Sequence, residues 1–175
     1  MAKLRKMLGS PDSPYIISLM RLIETQSKHT ISYWAVSYAQ QVMLPIYEKS
    51  ALKSECVKSA LETAQAYLAK EKKLAEVKAA AKEVMAQAKQ PGLSPSEQAA
   101  VRAISSSLSS ISTPTSALGM CFYATAALAY DRVGIEETDS VYEQIAAEEC
   151  RKMYQRLQEI AVEHEENPAK IDWNC

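Results

Sequence analysis

The stretch from Thr113 to Gly134 constrains the fold of this chain more than any other. Thr113 can accept a hydrogen bond from a free first-turn N–H, and Pro114 suits the first helical position, where its missing donor is not needed. Gly134 can close the helix in a left-handed conformation, with Arg132 near the negative end of the dipole. Between these signals the segment is apolar on nearly every face, which marks a helix surrounded by protein. A membrane span needs about 20 continuous apolar residues. This run is shorter and carries Thr115, Ser116, Thr125 and two tyrosines, so it reads as a central buried helix. Gly119, Ala124 and Ala127 are expected to let neighbouring helices approach closely. Asp131-Arg132 at its end is a polar helix cap or a pair that faces a partner or ligand.

The remaining composition agrees with a helical core. Helix formers abound among the 175 residues, only four glycines and one phenylalanine occur, and no stretch alternates as a β-strand would. The fold class expected is all-α: one domain over 1–175, a bundle of about seven or eight helices, with 1–90 and 96–175 as internal halves. The net charge of −1 makes no overall case for nucleic acid or a membrane surface. Charge is nevertheless segregated: residues 1–90 hold 14 Lys/Arg against 8 Asp/Glu, and residues 136–175 hold 4 against 11. These can be solvated faces of ordinary helices, or a dipolar surface offered to a partner. Cys56, Cys121, Cys150 and Cys175 are widely spaced without a CxxC pair, and MAKLRKMLGS lacks the apolar core of a secretory signal. Reduced thiols and a cytoplasmic location are expected.

Along the chain, residues 2–8 suggest a short helix, stopped at Gly9-Ser10-Pro11. Asp12 or Ser13 caps a second helix carrying Ile16, Leu19, Met20 and Ile23 on one face. Thr30 caps a third, with Ile31, Trp34, Ala35, Tyr38, Val42 and Met43, which Pro45 should end or kink. Ser54 opens a fourth helix, and Leu74, Val77, Ala81, Val84 and Ala88 mark a fifth that pairs with it as a hairpin. After the loop Pro91-Gly92-Leu93-Ser94-Pro95, Ser96 starts a sixth helix from Ala99 to about Ser109, whose Ser105–Ser110 end is expected to fray. The central helix follows. Thr138 or Asp139 then caps a long last helix that Asn167-Pro168 stops, and Trp173 docks the tail on the body. At an offset of 85 residues, Ser27–Thr30 aligns with Ser112–Thr115 and Tyr38-Ala39 with Tyr123-Ala124, which suggests two pseudo-repeated units packed through helices near 30–44 and 114–133.

Catalytic patterns are sparse. No GxSxG, Walker or glycine-rich phosphate loop occurs, and of the two histidines His29 opens a helix while His164 lies in Glu163-His164-Glu165-Glu166. Those four are sequential and lack metal-site spacing, so no metal and no cofactor is expected. The lysines of the 49–89 hairpin are interleaved with acids, and only Arg5 and Arg21 lie in the basic half, which argues against nucleic-acid reading without removing it as an alternative. A pocket near His29, Tyr123, Asp131 and Arg132, serving a small ligand or an orphan enzyme, is the other alternative. Trp34 and Tyr38 share an inward face, whereas Tyr33 points elsewhere; aromatic residues of this kind dominate protein-binding hot spots. The candidate binding surface is therefore His29, Tyr33, Tyr47, Asp131 and Arg132, in a protein expected not to be an enzyme.

Four runs carry a family resemblance. Leu4–Tyr15, Ser27-Lys-His-Thr-Ile-Ser-x-Trp-Ala-Val-Ser-Tyr-Ala, Leu44-Pro-Ile-Tyr-Glu-Lys49 and Thr113-Pro-Thr through Tyr130-Asp-Arg-Val-Gly134 resemble the immunity proteins with an Imm-5-like domain. The likeness extends to the tail Asn167-Pro-Ala-Lys-Ile-Asp-Trp-Asn-Cys175. It implies a bacterial cytoplasmic protein that neutralises a cognate toxin by binding it, within a polymorphic-toxin or contact-dependent system. It brings no catalytic residues with it.

Overall fold

The computed structural model describes residues 4–173. Its helical segments are α1 (Pro14–Glu24), α2 (Lys28–Tyr38), α3 (Leu44–Tyr47), α4 (Glu55–Leu68), α5 (Leu74–Ala88), α6 (Pro95–Ser109), α7 (Ser116–Val133) and α8 (Asp139–Ile160). No strand occurs among the described residues, and a π turn over Ala39–Met43 fuses α2 and α3 into one rod, so the rods number seven. That π turn is how the chain accommodates Pro45. An interior proline removes a donor and presses on the carbonyl four residues back. Here Leu44 N–H reaches back five residues to the Ala39 carbonyl, widening the helix before the proline, so the rod continues instead of ending.

Helix starts follow local hydrogen-bond chemistry, with shifts from the sequence expectation. Ser27, rather than Thr30, caps α2: its Oγ accepts from Thr30 N–H at 3.2 Å. Ser94 caps α6 and exchanges bonds with Glu97, Ser94 Oγ accepting at 3.2 Å and Glu97 Oε2 accepting from Ser94 N–H at 2.9 Å. This reciprocal box moves the start of α6 from Ala99 back to Pro95. Ser54 and Thr138 cap α4 and α8. Thr113 and Pro114 form a tight turn ahead of α7, with Ser116 N–H bonded to the Thr113 carbonyl at 2.9 Å, and Thr115 is the boundary residue. Gly134 ends α7 at φ +77°, a value that favours glycine.

Two terminal expectations are corrected. Residues 4–8 are not helical; they lie as a strap on α7, where Leu8 N–H donates to the Phe122 carbonyl at 3.2 Å and Thr125 Oγ1 donates to the Leu8 carbonyl at 3.0 Å. Residues 2 and 3 of that expected helix, and Cys175, lie outside the described residues. The last helix stops at Ile160, well before Asn167-Pro168, because buried Gln26 captures the chain that follows. Its Oε1 accepts from Val162 N–H at 2.8 Å, its Nε2 donates to the Val162 carbonyl at 3.2 Å, and its own carbonyl accepts from Ala169 N–H at 2.8 Å. Trp173 docks beyond this clamp, its indole N–H donating to the Glu24 carboxylate.

The packing centre is the pair α6–α7 rather than α7 alone. The two helices run antiparallel through a short turn and share the most extensive contact in the molecule, while α6 also touches α2, α3, α4, α5 and the π turn. Small residues make this possible: Ala99, Ala100, Ala103 and Ser107 on α6, and Ala117, Ala124, Ala126, Ala127 and Ala129 on α7, are all buried. The serine-rich end of α6 is regular helix to Ser109, because Ser107 and Ser110 donate to carbonyls three residues back at 2.6 Å and need no outside partner. The expected contact between α2 and α7 is present, and Trp34 Nε1 ties α2 to α8 through the Met153 carbonyl at 3.1 Å. On the outside, α5 packs on α4 and α6 at one flank, and α1 packs on α8 at the other.

Gly119 does not mediate a close approach. A Cβ there would meet only Ser106 Oγ, at 3.8 Å, which is ordinary contact. Gly119→Ala is therefore expected to stabilise the protein by about 0.5–1 kcal/mol in urea unfolding. Gly9→Ala is expected to destabilise it by roughly 1–2 kcal/mol, because Gly9 sits at φ +94° with its Cβ position 3.3 Å from the Phe122 ring.

Candidate functional site

The five residues singled out from sequence do not gather in one place. His29 lies at the start of α2, while Asp131 at the end of α7 is held by Lys49, just past α3. From His29 to Tyr47 the rod rises about 1.5 Å per residue, which sets its ends on the order of 25 Å apart. A common pocket for His29, Asp131 and Arg132 is thereby excluded. Tyr47 belongs to the core: it is 1 % exposed, and its hydroxyl accepts from Ser54 N–H at 2.8 Å.

At the end of α7, charge is used internally. Lys49 Nζ lies 2.8 Å from both Asp131 carboxylate oxygens. Arg132 donates to Glu149 at 2.6 Å and approaches Glu148 at 3.6 Å. Lys152 reaches the same two carboxylates at 2.9 and 3.3 Å. Glu149 is buried, and these two cations are its partners there. The hydrogen bond to Glu149 raises the Arg132 pKa, and hydrogen bonds to Glu149 and then Glu148 raise that of Lys152. Beside them Tyr142 donates to the Gly134 carbonyl at 2.8 Å, accepts from Glu137 N–H at 3.1 Å and packs edge-on against Tyr130. Asp131 and Arg132 therefore clasp α7 to Lys49 and to α8.

The His29–Tyr33 end of α2 is different. Tyr33 is 49 % exposed, and its ring stacks on His29 with centroids 6.5 Å apart and planes 19° apart. It forms one wall of a notch of about 190 Å³ that Trp34, Tyr38, Gln41 and Arg156 also line. Arg156 of α8 lies over the Tyr38 ring at 5.4 Å and donates to Gln41 Oε1 at 2.6 Å. The Tyr38 hydroxyl is buried and has no hydrogen-bond partner among the described residues, and burial pushes its pKa well above the usual tyrosine value. Sequence reasoning missed Arg156 and Gln41. Gln41 continues the spacing 34, 38, 41 along one face, a usable signal; nothing in the sequence joins Arg156 to α2.

The buried thiols lack nucleophile chemistry. Cys121 is fully buried and donates to the Ala117 carbonyl at 3.4 Å, and burial raises its pKa well above the ordinary thiol value. Burial likewise pushes Cys150 up to about 12, so both remain protonated at neutral pH. Among the described residues no three His, Cys, Asp or Glu side chains are grouped to hold a metal, and no helix is long and apolar enough to cross a membrane.

The molecule is thus a helical bundle with charged clasps and an exposed aromatic notch that both Arg156 and Glu159 line. Residues 21–156, more than three quarters of the chain and reaching from α1 into α8, match the family model described as Imm-5 like putative immunity protein. The chain belongs to this family. No curated protein and no solved structure matches it.

Two outcomes follow from this geometry. Arg132→Ala should destabilise the fold by roughly 1–2 kcal/mol, since it strips a partner from a buried carboxylate, whereas Asp131→Ala, losing a surface pair, should cost under about 1 kcal/mol; urea unfolding of both variants checks the order. Maleimide labelling read by mass spectrometry should modify Cys121 and Cys150 only after unfolding.

Proposed function

We propose that this protein is an immunity protein that binds and neutralises a cognate bacterial toxin through a protein–protein interface, acting by occupancy rather than by catalysis. Family membership supplies the class. The observation that carries the interface reading is Tyr33: a large aromatic, half exposed, stacked on His29 beside a notch that Arg156 lines. Tyrosine and arginine around a small pocket have the composition of binding hot spots. Both stand on helices, so little ordering cost falls on the interface when a partner docks. In this reading the toxin is met in the bacterial cytoplasm, and Asp131 and Arg132 act as framework.

Co-expression with the products of the genes that flank its own tests the reading. Rescue of growth and a stable co-purified complex are expected; persistent toxicity with no complex contradicts it. Within the complex, Tyr33→Ala should cost about 2 kcal/mol, roughly 30-fold in Kd. Asp131→Ala should leave Kd within about twofold, as isothermal titration would measure.

A further inference from the structure

A second surface lies on the opposite flank. Between α5 and the end of α6 runs a groove of about 620 Å³ whose floor is Val77, Ala81 and Leu108. Met85 stands in it, 49 % exposed, an adaptable apolar contact. Its rim is Lys78, Lys82 and Lys89, and no acidic residue lines it. Among the described residues these three lysines make no ion pair, whereas Lys49, Lys72 and Lys152 do. At about 100° per residue, Lys78, Lys82 and Met85 of α5 and Lys89 at its C-cap fall within one narrow stripe, and Glu76 and Glu83 fall well over about 90° away from its centre.

We propose that this groove docks an acidic amphipathic segment of the partner protein, its apolar side chains on the floor and its carboxylates against the three lysines; this rests on the immunity reading above. Charge complementarity selects the occupant. Three unpaired cations of one sign over an apolar floor fit a segment with acids on its edges and leucine-like residues between them. The wider field favours the same orientation, because the acid-rich 136–175 portion includes α8, on the flank away from α5. Nucleic acid fits less well: the groove offers no arginine to read a base and no aromatic ring to stack one, and Met85 would face phosphate.

The test titrates the ¹⁵N-labelled full chain with a synthetic helix-forming peptide that has leucines on one face and glutamates along both edges. Shifts confined to α5 and the Leu108–Thr113 end of α6 are expected. The combined variant Lys78→Glu, Lys82→Glu, Lys89→Glu should weaken the peptide by about tenfold or more while its circular dichroism is unchanged, and added salt should weaken it too. Equal binding of the peptide with lysine in place of glutamate, shifts elsewhere on the surface, or the same shifts produced by a DNA duplex in place of the peptide would overturn the proposal. With the co-expressed toxin, a complex that survives the triple variant at full affinity overturns the groove and leaves the immunity reading standing. Absence of any complex with the wild-type protein overturns the immunity reading instead, and the peptide titration then decides the groove alone.

Discussion

Close contact between α6 and α7 is the constraint on which the rest of the structure depends. Two helices can share so long an interface only where side chains are short, and alanines on both, with serines on α6, supply that surface. Short side chains bury less area each than leucine would, so the gain comes from dense contact along the whole length. Serine adds a difficulty, since a buried hydroxyl without a partner is costly. Ser107 and Ser110 resolve it within their own helix. With α6 bonded in this way, its other faces are free to receive α2, α3, α4 and α5, and α7 carries α8 and the N-terminal strap.

This frame separates the surface into regions with different work. The α7–α8 end uses its charges on itself: Glu149 is compensated by Arg132 and Lys152, and Asp131 by Lys49. The α2 end keeps Tyr33 outward beside Arg156, and the α5 flank keeps lysines without partners. The lysine stripe of α5 lies on the flank away from α8, whose Asp and Glu outnumber its Lys and Arg. Such a body can orient a charged partner before contact and then hold it by buried aromatic and apolar groups.

Helix number, helix order and most inward faces were legible in the sequence, because 3.6-residue periodicity and Ser or Thr caps are local signals. What was hidden depended on contacts between distant segments. Residues 4–8 have helical composition, yet their backbone is bonded to Phe122 and Thr125. The end of α8 is set by Gln26, far away in sequence, and not by Asn167-Pro168. Ser105–Ser110 has weak helix propensity, and burial overrides it. At the candidate surface, Tyr33 could be separated from Trp34 by spacing alone. Tyr47 could not be recognised as core, because Ser54 N–H claims its hydroxyl only once the chain has turned. Asp131 and Arg132 were recognisable as charged ends, but Lys49 and Glu149, which occupy them, come from separate elements.

Native-state hydrogen exchange on the protein alone tests the central claim most directly. If α6–α7 is the packing centre, amides of α6 and α7, including the Ser105–Ser109 turn, should exchange only through global unfolding, with those of α5 opening first. Exchange at Ser105–Ser109 that runs ahead of α5, at a free energy well below that of global unfolding, would contradict it.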